Sequence, residues 1–184
     1  MFADHFKQYF TKNIGYVGRK LYAAGILPWH LTVLSIAAKI AALVSVLQQN
    51  LALFAVFVYL DYVADGLDGF VARSAGKTSK KWAFLEHTCD FFFRSLWIWA
   101  LAFITAIPWW LALFFVWAMS VSVIVLLLGL IEKVQTVSWL PAAGDWVLLI
   151  AVLTGNFPLW LLIGGAWALG MAGIRVIAVV TLTK

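Results

Sequence analysis

The chain has 184 residues, of which 65% are hydrophobic, 16% aromatic and only 11% charged, with a net charge of +5. A water-soluble domain of this length has too little interior to hide so much apolar surface, and disordered chains are poor in such residues. A single cysteine, Cys89, excludes an internal disulfide framework and a zinc site built mainly from thiolates. The composition is that of an integral membrane protein with one domain.

Residues 1–27 carry too much charge to span a bilayer. On a helix, Phe2, Phe6, Tyr9, Phe10, Val17 and Leu21 fall on one side, with most basic residues elsewhere. That is the pattern of an amphipathic helix lying in the cytoplasmic interface. No apolar core follows the early lysines closely enough for a cleavable signal peptide. A spanning helix needs about 20 mainly apolar residues. The stretches 31–48, 109–131 and 158–182 qualify. The stretches 51–64 and 91–107 qualify when extended into the polar sequence beside them, and 146–155 spans only if its helix begins near Ser138 or Ala142. The expectation is an all-α integral membrane protein, with six transmembrane helices over 28–184 preceded by the interfacial helix over 1–27. Runs that are apolar all round exclude the alternating pattern of a β-barrel.

Charge placement sets the expected orientation. Lys7, Lys12, Arg19 and Lys20 precede the first span, and Arg73, Lys77, Lys80 and Lys81 lie between the second and third. Lys133 sits in the fourth-to-fifth connection and Lys184 at the end, whereas the loops at 49–50, around Pro108 and at 154–157 hold no Lys or Arg. Both termini are therefore expected in the cytoplasm, at an inner membrane. These basic residues cluster beside spans, so they read as anchors to membrane lipids and not as a nucleic-acid patch. Trp109, Trp110, Trp139, Trp146 and Trp160 fall near helix ends, where indoles favour the interface. Gly164, Gly165, Gly170 and Gly173 permit close helix packing, within the chain or between the subunits of a homodimer.

Five of the eight acidic residues fall between Asp61 and Asp90. A carboxylate at bilayer depth is costly unless it is paired, hydrated or metal-bound. At about 100° per residue, Asp61, Asp65, Asp68, Gly69 and Ala72 share one narrow helical stripe, and Glu86 and Asp90 share a face of the next helix. Two neighbouring helices are thus expected to point these carboxylates at one another near the cytoplasmic end. Hard divalent cations, Mg2+ or Mn2+, relieve the repulsion of such a group through oxygen ligation. His87 and Cys89 are too few for zinc, and Gly66 and Gly69 leave the backbone bare for a ligand. The competing reading makes these acids structural ion-pair partners of Arg73, Lys77, Lys80, Lys81 and Arg94.

Asp65-x2-Asp68-Gly69-x2-Ala72-Arg73, then eight residues, then Trp82-x3-Glu86-x3-Asp90, resembles the CDP-alcohol phosphotransferase motif D-x2-D-G-x2-A-R-x8-G-x3-D-x3-D. Pro28-Trp29-His30-Leu31-Thr32 weakly resembles the P-N-x-x-T of the same family at its first span. The resemblance implies a membrane transferase of phospholipid synthesis, moving a substituted phosphate from a CDP-linked donor to an alcohol acceptor with release of CMP. It implies that Asp65, Asp68, Glu86 and Asp90 hold two divalent cations and that Asp90 also takes the proton from the acceptor hydroxyl. Gly69 and Ala72 would line the nucleotide pocket and Arg73 would contact donor phosphate. Three positions depart from the pattern: Glu86 replaces Asp, Trp82 replaces Gly and Trp29 replaces Asn. Trp82 either narrows the nucleotide pocket or anchors in the interface.

The compact chain and Arg94 favour CDP-diacylglycerol as donor. Glu86-His87-Thr88-Cys89-Asp90 also resembles the D-H-G-C-D of the choline and ethanolamine branch, in which diacylglycerol accepts. A non-catalytic relative binding nucleotide or metal, and an ion transporter, stand as alternatives of other classes. Arg94, Arg175 and Lys133 suit either the phosphate of a polar acceptor or structural roles in salt bridges and snorkelling. His87 either assists proton transfer or is a hydrogen-bonded structural side chain. Lys39, mid-span, has Asp61 as its candidate partner, and Asp61 itself is a candidate for supporting the metal ligands from behind.

Overall fold

The computed structural model describes residues 16–76, 80–105, 107–131 and 143–182, and among these every regular element is helical. A short helix α1 covers 16–23. It is followed by α2 (Pro28–Leu47), α3 (Leu51–Ser74), α4 (Lys80–Ile104), α5 (Trp109–Ile131), α6 (Ala143–Thr154) and α7 (Phe157–Leu182). The first part of the expected interfacial helix, 1–15, lies outside the described residues, as do Lys77, Lys133, Trp139 and Lys184.

Local chemistry sets the helix ends. Pro28 opens α2, where its missing N–H costs nothing, and the Leu27 amide donates to His30 Nδ1 at 3.1 Å. Asn50 caps α3 by accepting from the Leu53 amide at 3.1 Å. Gly76, just past α3, and Gly155, between α6 and α7, have φ near +65°, where a Cβ would be strained.

The helices Pro28–Leu47, Trp109–Leu128 and Phe157–Ile177 are each long and apolar enough to cross a membrane. Helices α3 and α4 have 24 and 25 residues, about 36–38 Å, but carry the acids and bases of the polar cluster. The described part of α6, Ala143–Thr154, has 12 residues, about 18 Å; the expected starts near Ser138 and Ala142 lie outside the described residues. The outer surface is apolar: Val33, Ile40 and Val44 of α2, Trp117, Ile124 and Leu128 of α5, and Trp167, Ile174 and Ile177 of α7 are all exposed. Such a continuous apolar exterior suits lipid and not water.

Helices α2 and α3 form the most extensive antiparallel pair, and α5–α7, α6–α7, α4–α5, α2–α4 and α3–α6 also pack together. The described parts of α3 and α4 make little close backbone approach; α2 lies against both and bridges them. Buried side chains segregate along the bundle. Phe54, Trp97, Leu101, Leu111, Phe115, Leu148 and Leu161 form an apolar core at the end bearing the α2–α3, α4–α5 and α6–α7 turns. The buried polar residues Ser35, Lys39, Asp61, Asp68, Asp90 and Arg94 lie toward the other end. Helix α1 docks there: a Cβ on Gly18 would fall 2.7 Å from the Phe70 carbonyl oxygen of α3.

The four glycines of the last helix divide. A Cβ on Gly164 would meet Phe115 Cε2 at 2.7 Å, and one on Gly165 would meet Phe114 Cε1 at 2.5 Å, so both serve the α5–α7 seam. Gly170 and Gly173 have nothing within 4 Å of an added Cβ. Gly164→Ala is expected to lower the melting temperature by roughly 3–10 °C, the consequence of about 1–3 kcal/mol of overpacking. Gly170→Ala is expected to leave it unchanged or slightly raised, as a thermal unfolding scan in detergent would show.

Candidate active site

The polar end is built on three helices. Thr32, Ser35 and Lys39 recur on α2 at helical spacing and face the acidic stripe of α3. Thr32 Oγ1 donates to Asp68 Oδ2 at 2.9 Å, and Ser35 Oγ donates to Asp61 Oδ1 at 2.7 Å. Lys39 Nζ lies 2.5 Å from both Ser35 Oγ and Asp61 Oδ1, and 3.0 Å from Asp90 Oδ1 on α4. Arg94, one turn beyond Asp90, places Nη2 3.6 Å from Asp90 Oδ2. Lys39, Asp61, Asp90 and Arg94 are all buried, and their formal charges cancel.

The second group is different. Asp65 and Asp68, on adjacent turns of α3, meet Glu86 of α4 with carboxylate oxygens all within 4.8 Å of one another. Asp68 is buried; Asp65 and Glu86 are half-buried. The ion pairs found among the described residues fall on Asp61 and Asp90, and none of them is made by Asp65, Asp68 or Glu86. Isolated carboxylates at this separation repel strongly in a poorly solvated site. Around Mg2+ neighbouring oxygens sit about 3 Å apart and opposite ones about 4.2 Å, so a divalent cation would draw these three carboxylates inward. The donor set is all oxygen, which suits Mg2+ or Mn2+. Glu86 reaches the α3 carboxylates with one methylene more than Asp, across the interval where α3 and α4 stay apart.

Around the triad the end of α3 is open. A Cβ on Gly66 would meet nothing within 4 Å, whereas one on Gly69 would lie 3.3 Å from Arg73 Nη1. The exposed Arg73 guanidinium therefore lies across the bare Gly69 backbone, 4.8 Å from the centroid of the Phe70 ring. Ala72 is half-buried beside it.

The expected residues thus separate into sets. Asp65, Asp68 and Glu86 come together. Asp90 stands one turn from Glu86 but is held by Lys39 and Arg94. Arg73 and Lys81 are exposed and make no ion pair with the acids, so the counter-charge within the described residues comes from Lys39 and Arg94. Arg175 is buried on α7; its Nη1 donates to the carbonyl and hydroxyl oxygens of Ser122 at 3.3 and 3.2 Å, and its Nε has no partner among the described residues. His87 is half-buried on α4, three residues before Asp90. Trp82 is 47% exposed and Trp29 54% exposed, the latter tilted against His30 at 3.9 Å between centroids. Thr32 and Ser35 were not among the expected site residues. The P-x-x-x-T spacing marked Thr32; Ser35 carried only the helical step that joins Thr32 to Lys39.

The family model described as CDP-alcohol phosphatidyltransferase matches residues 25–182, which includes both acidic helices and the whole of α2. No curated protein matches the chain at a significant level.

Thr32→Val removes a hydroxyl donor from a buried carboxylate at nearly constant volume. It is expected to cost about 1.5–3 kcal/mol of stability. Thr88→Val serves as the control, since the exposed Thr88 hydroxyl bonds only the carbonyl of Phe84 in its own helix; denaturant unfolding should show little change there.

Proposed function

Because this chain belongs to the CDP-alcohol phosphatidyltransferase family, whose members transfer phosphate groups from CDP-alcohols in lipid synthesis, we propose that it moves a phosphatidyl group from CDP-diacylglycerol to a polar alcohol. The observation that carries this reading is the Asp65–Asp68–Glu86 triad, whose carboxylate oxygens lie within 4.8 Å of one another at the motif's spacing. The triad is assigned to divalent cations, Mg2+ or Mn2+. When bound, these neutralise charge on the donor diphosphate and on the departing CMP. Arg73 binds a donor phosphate oxygen, with Gly69 and Ala72 lining the nucleotide site. Six spans and a cytoplasmic site complete the proposal, with both termini on the same side.

Asp90 takes the proton of the acceptor hydroxyl. The acceptor oxygen then bonds the phosphorus that carries diacylglycerol, the phosphorus–oxygen bond to CMP breaks, and CMP leaves with the electron pair. The resemblance counts Asp90 both as a metal ligand and as the proton acceptor; among the described residues its carboxylate lies against Lys39 and Arg94 and outside the Asp65–Asp68–Glu86 group. Arg175 is assigned to a phosphate on the acceptor, because its Nε is buried without a partner and guanidinium groups suit phosphate oxygens. Arg94 holds Asp90, and His87 and Asp61 support the site from behind.

Purified protein in nanodiscs, given CDP-diacylglycerol and alcohols with and without phosphate, is expected to release CMP only with a matching acceptor. Release only from CDP-choline or CDP-ethanolamine with diacylglycerol would reverse the donor assignment, and release from no donor would defeat the enzymatic reading. Asp90→Asn should lower the rate by about 100-fold or more while the protein still folds. Wild-type activity in that variant defeats the assignment of Asp90.

Cation binding has its own readout. Near-saturating Mn2+, at about 100 times its Kd, should stabilise the protein by about 2.7 kcal/mol, or roughly 5–10 °C in melting temperature. Glu86→Gln should abolish most of that gain, and an undiminished gain would remove Glu86 from the ligand set.

A further inference from the structure

Lys39 is required by neither the acidic motif nor the metal triad, yet it is one of the most deeply buried charges among the described residues, 2% exposed in the middle of α2. An ammonium group at this depth is costly, and an apolar side chain of similar volume would pack at lower cost if neighbouring carboxylates did not need it. Its three N–H donors have three acceptors. Asp61 Oδ1 and Ser35 Oγ each lie at 2.5 Å, and Asp90 Oδ1 at 3.0 Å. The backbone is held as well: Trp97 Nε1, from the apolar core, donates to the Lys39 carbonyl at 3.1 Å. Asp61 and Ser35 alone would anchor the ammonium between α2 and α3; the third donor crosses to α4. Asp90 Oδ1 is thereby fixed. Asp90 Oδ2 stands 3.6 Å from Arg94 Nη2, beyond direct hydrogen-bond range.

We infer that Lys39 is a positioning residue for the transfer: it fixes one oxygen of Asp90 and leaves the other to receive the acceptor hydroxyl proton. This rests on the reading of Asp90 as proton acceptor. Lys39 touches neither substrate nor the metal triad in this arrangement, so it acts through the orientation of Asp90. Ser35 accepts from Lys39 and donates to Asp61 but does not touch Asp90, whose contact with Lys39 does not depend on it.

The test separates orientation from stability. Lys39→Met alone strands two buried carboxylates, so it is paired with Asp61→Asn, which removes one anion with the cation. Below the melting temperature of every variant, Lys39→Met/Asp61→Asn is expected to hold the donor KM within about threefold while kcat falls about 10–100-fold. Ser35→Ala removes a buried hydrogen bond but leaves the Lys39–Asp90 contact; its melting temperature should drop while kcat stays within about twofold. It also keeps the inference testable if the double variant does not fold. A double variant with kcat near wild type would make Lys39 a structural counter-ion only. An equally low kcat in Ser35→Ala would tie the loss to stability, and either result overturns the inference. Full activity in Asp90→Asn defeats the proton-acceptor reading itself. Loss in Asp90→Asn beside a fully active double variant defeats only the role of Lys39.

Discussion

The Lys39 ammonium, shared between Asp61 and Asp90, is the contact on which the polar end of this bundle depends. Charges removed from water cost several kcal/mol each, and mutual attraction offsets this only when geometry and hydrogen bonding are complete. Lys39 meets that condition by placing each donor on an acceptor from a different position: Ser35 on its own helix, Asp61 on α3 and Asp90 on α4. Since α3 and α4 make little backbone approach to one another, the ammonium and α2 hold the two acidic helices in register.

That arrangement divides five carboxylates into two populations with different work. Asp61 and Asp90 are neutralised inside the protein by Lys39 and Arg94. Asp65, Asp68 and Glu86 are gathered together and make no ion pair among the described residues. Gathering three carboxylates in a half-buried site is a local cost that a cation can remove, a common condition of functional sites.

The other half of the molecule supplies rigidity. Phe54 and Trp97 meet edge to face at 5.8 Å within a core drawn from α2 to α7, and Trp97 joins that core to the site through the Lys39 carbonyl. The Gly164 and Gly165 contacts let α7 lie close against α5, which places Arg175 beside Ser122. At the opposite end, Gly18 seats α1 on the last turns of α3, next to Phe70 and Arg73. The acidic stripe of α3 is thus braced from both ends.

The helices were legible in the sequence because apolar runs of membrane length leave the backbone few alternatives. The stretches 31–48, 109–131 and 158–182 correspond to α2, α5 and α7, and the two acidic segments became helices once extended into the polar residues beside them. The family and the grouping of Asp65, Asp68 and Glu86 were legible too, since fixed spacing on a helix determines which side chains share a face. Spacing along one chain cannot say which charge on one helix meets which on another. That Lys39 binds Asp90 as well as Asp61, that Thr32 orients Asp68, and that the exposed Arg73 leaves the acids to Lys39 and Arg94 were decided by how α2 docks against α3 and α4, because ion pairs and hydrogen bonds depend on separations of a few ångströms that only tertiary packing sets.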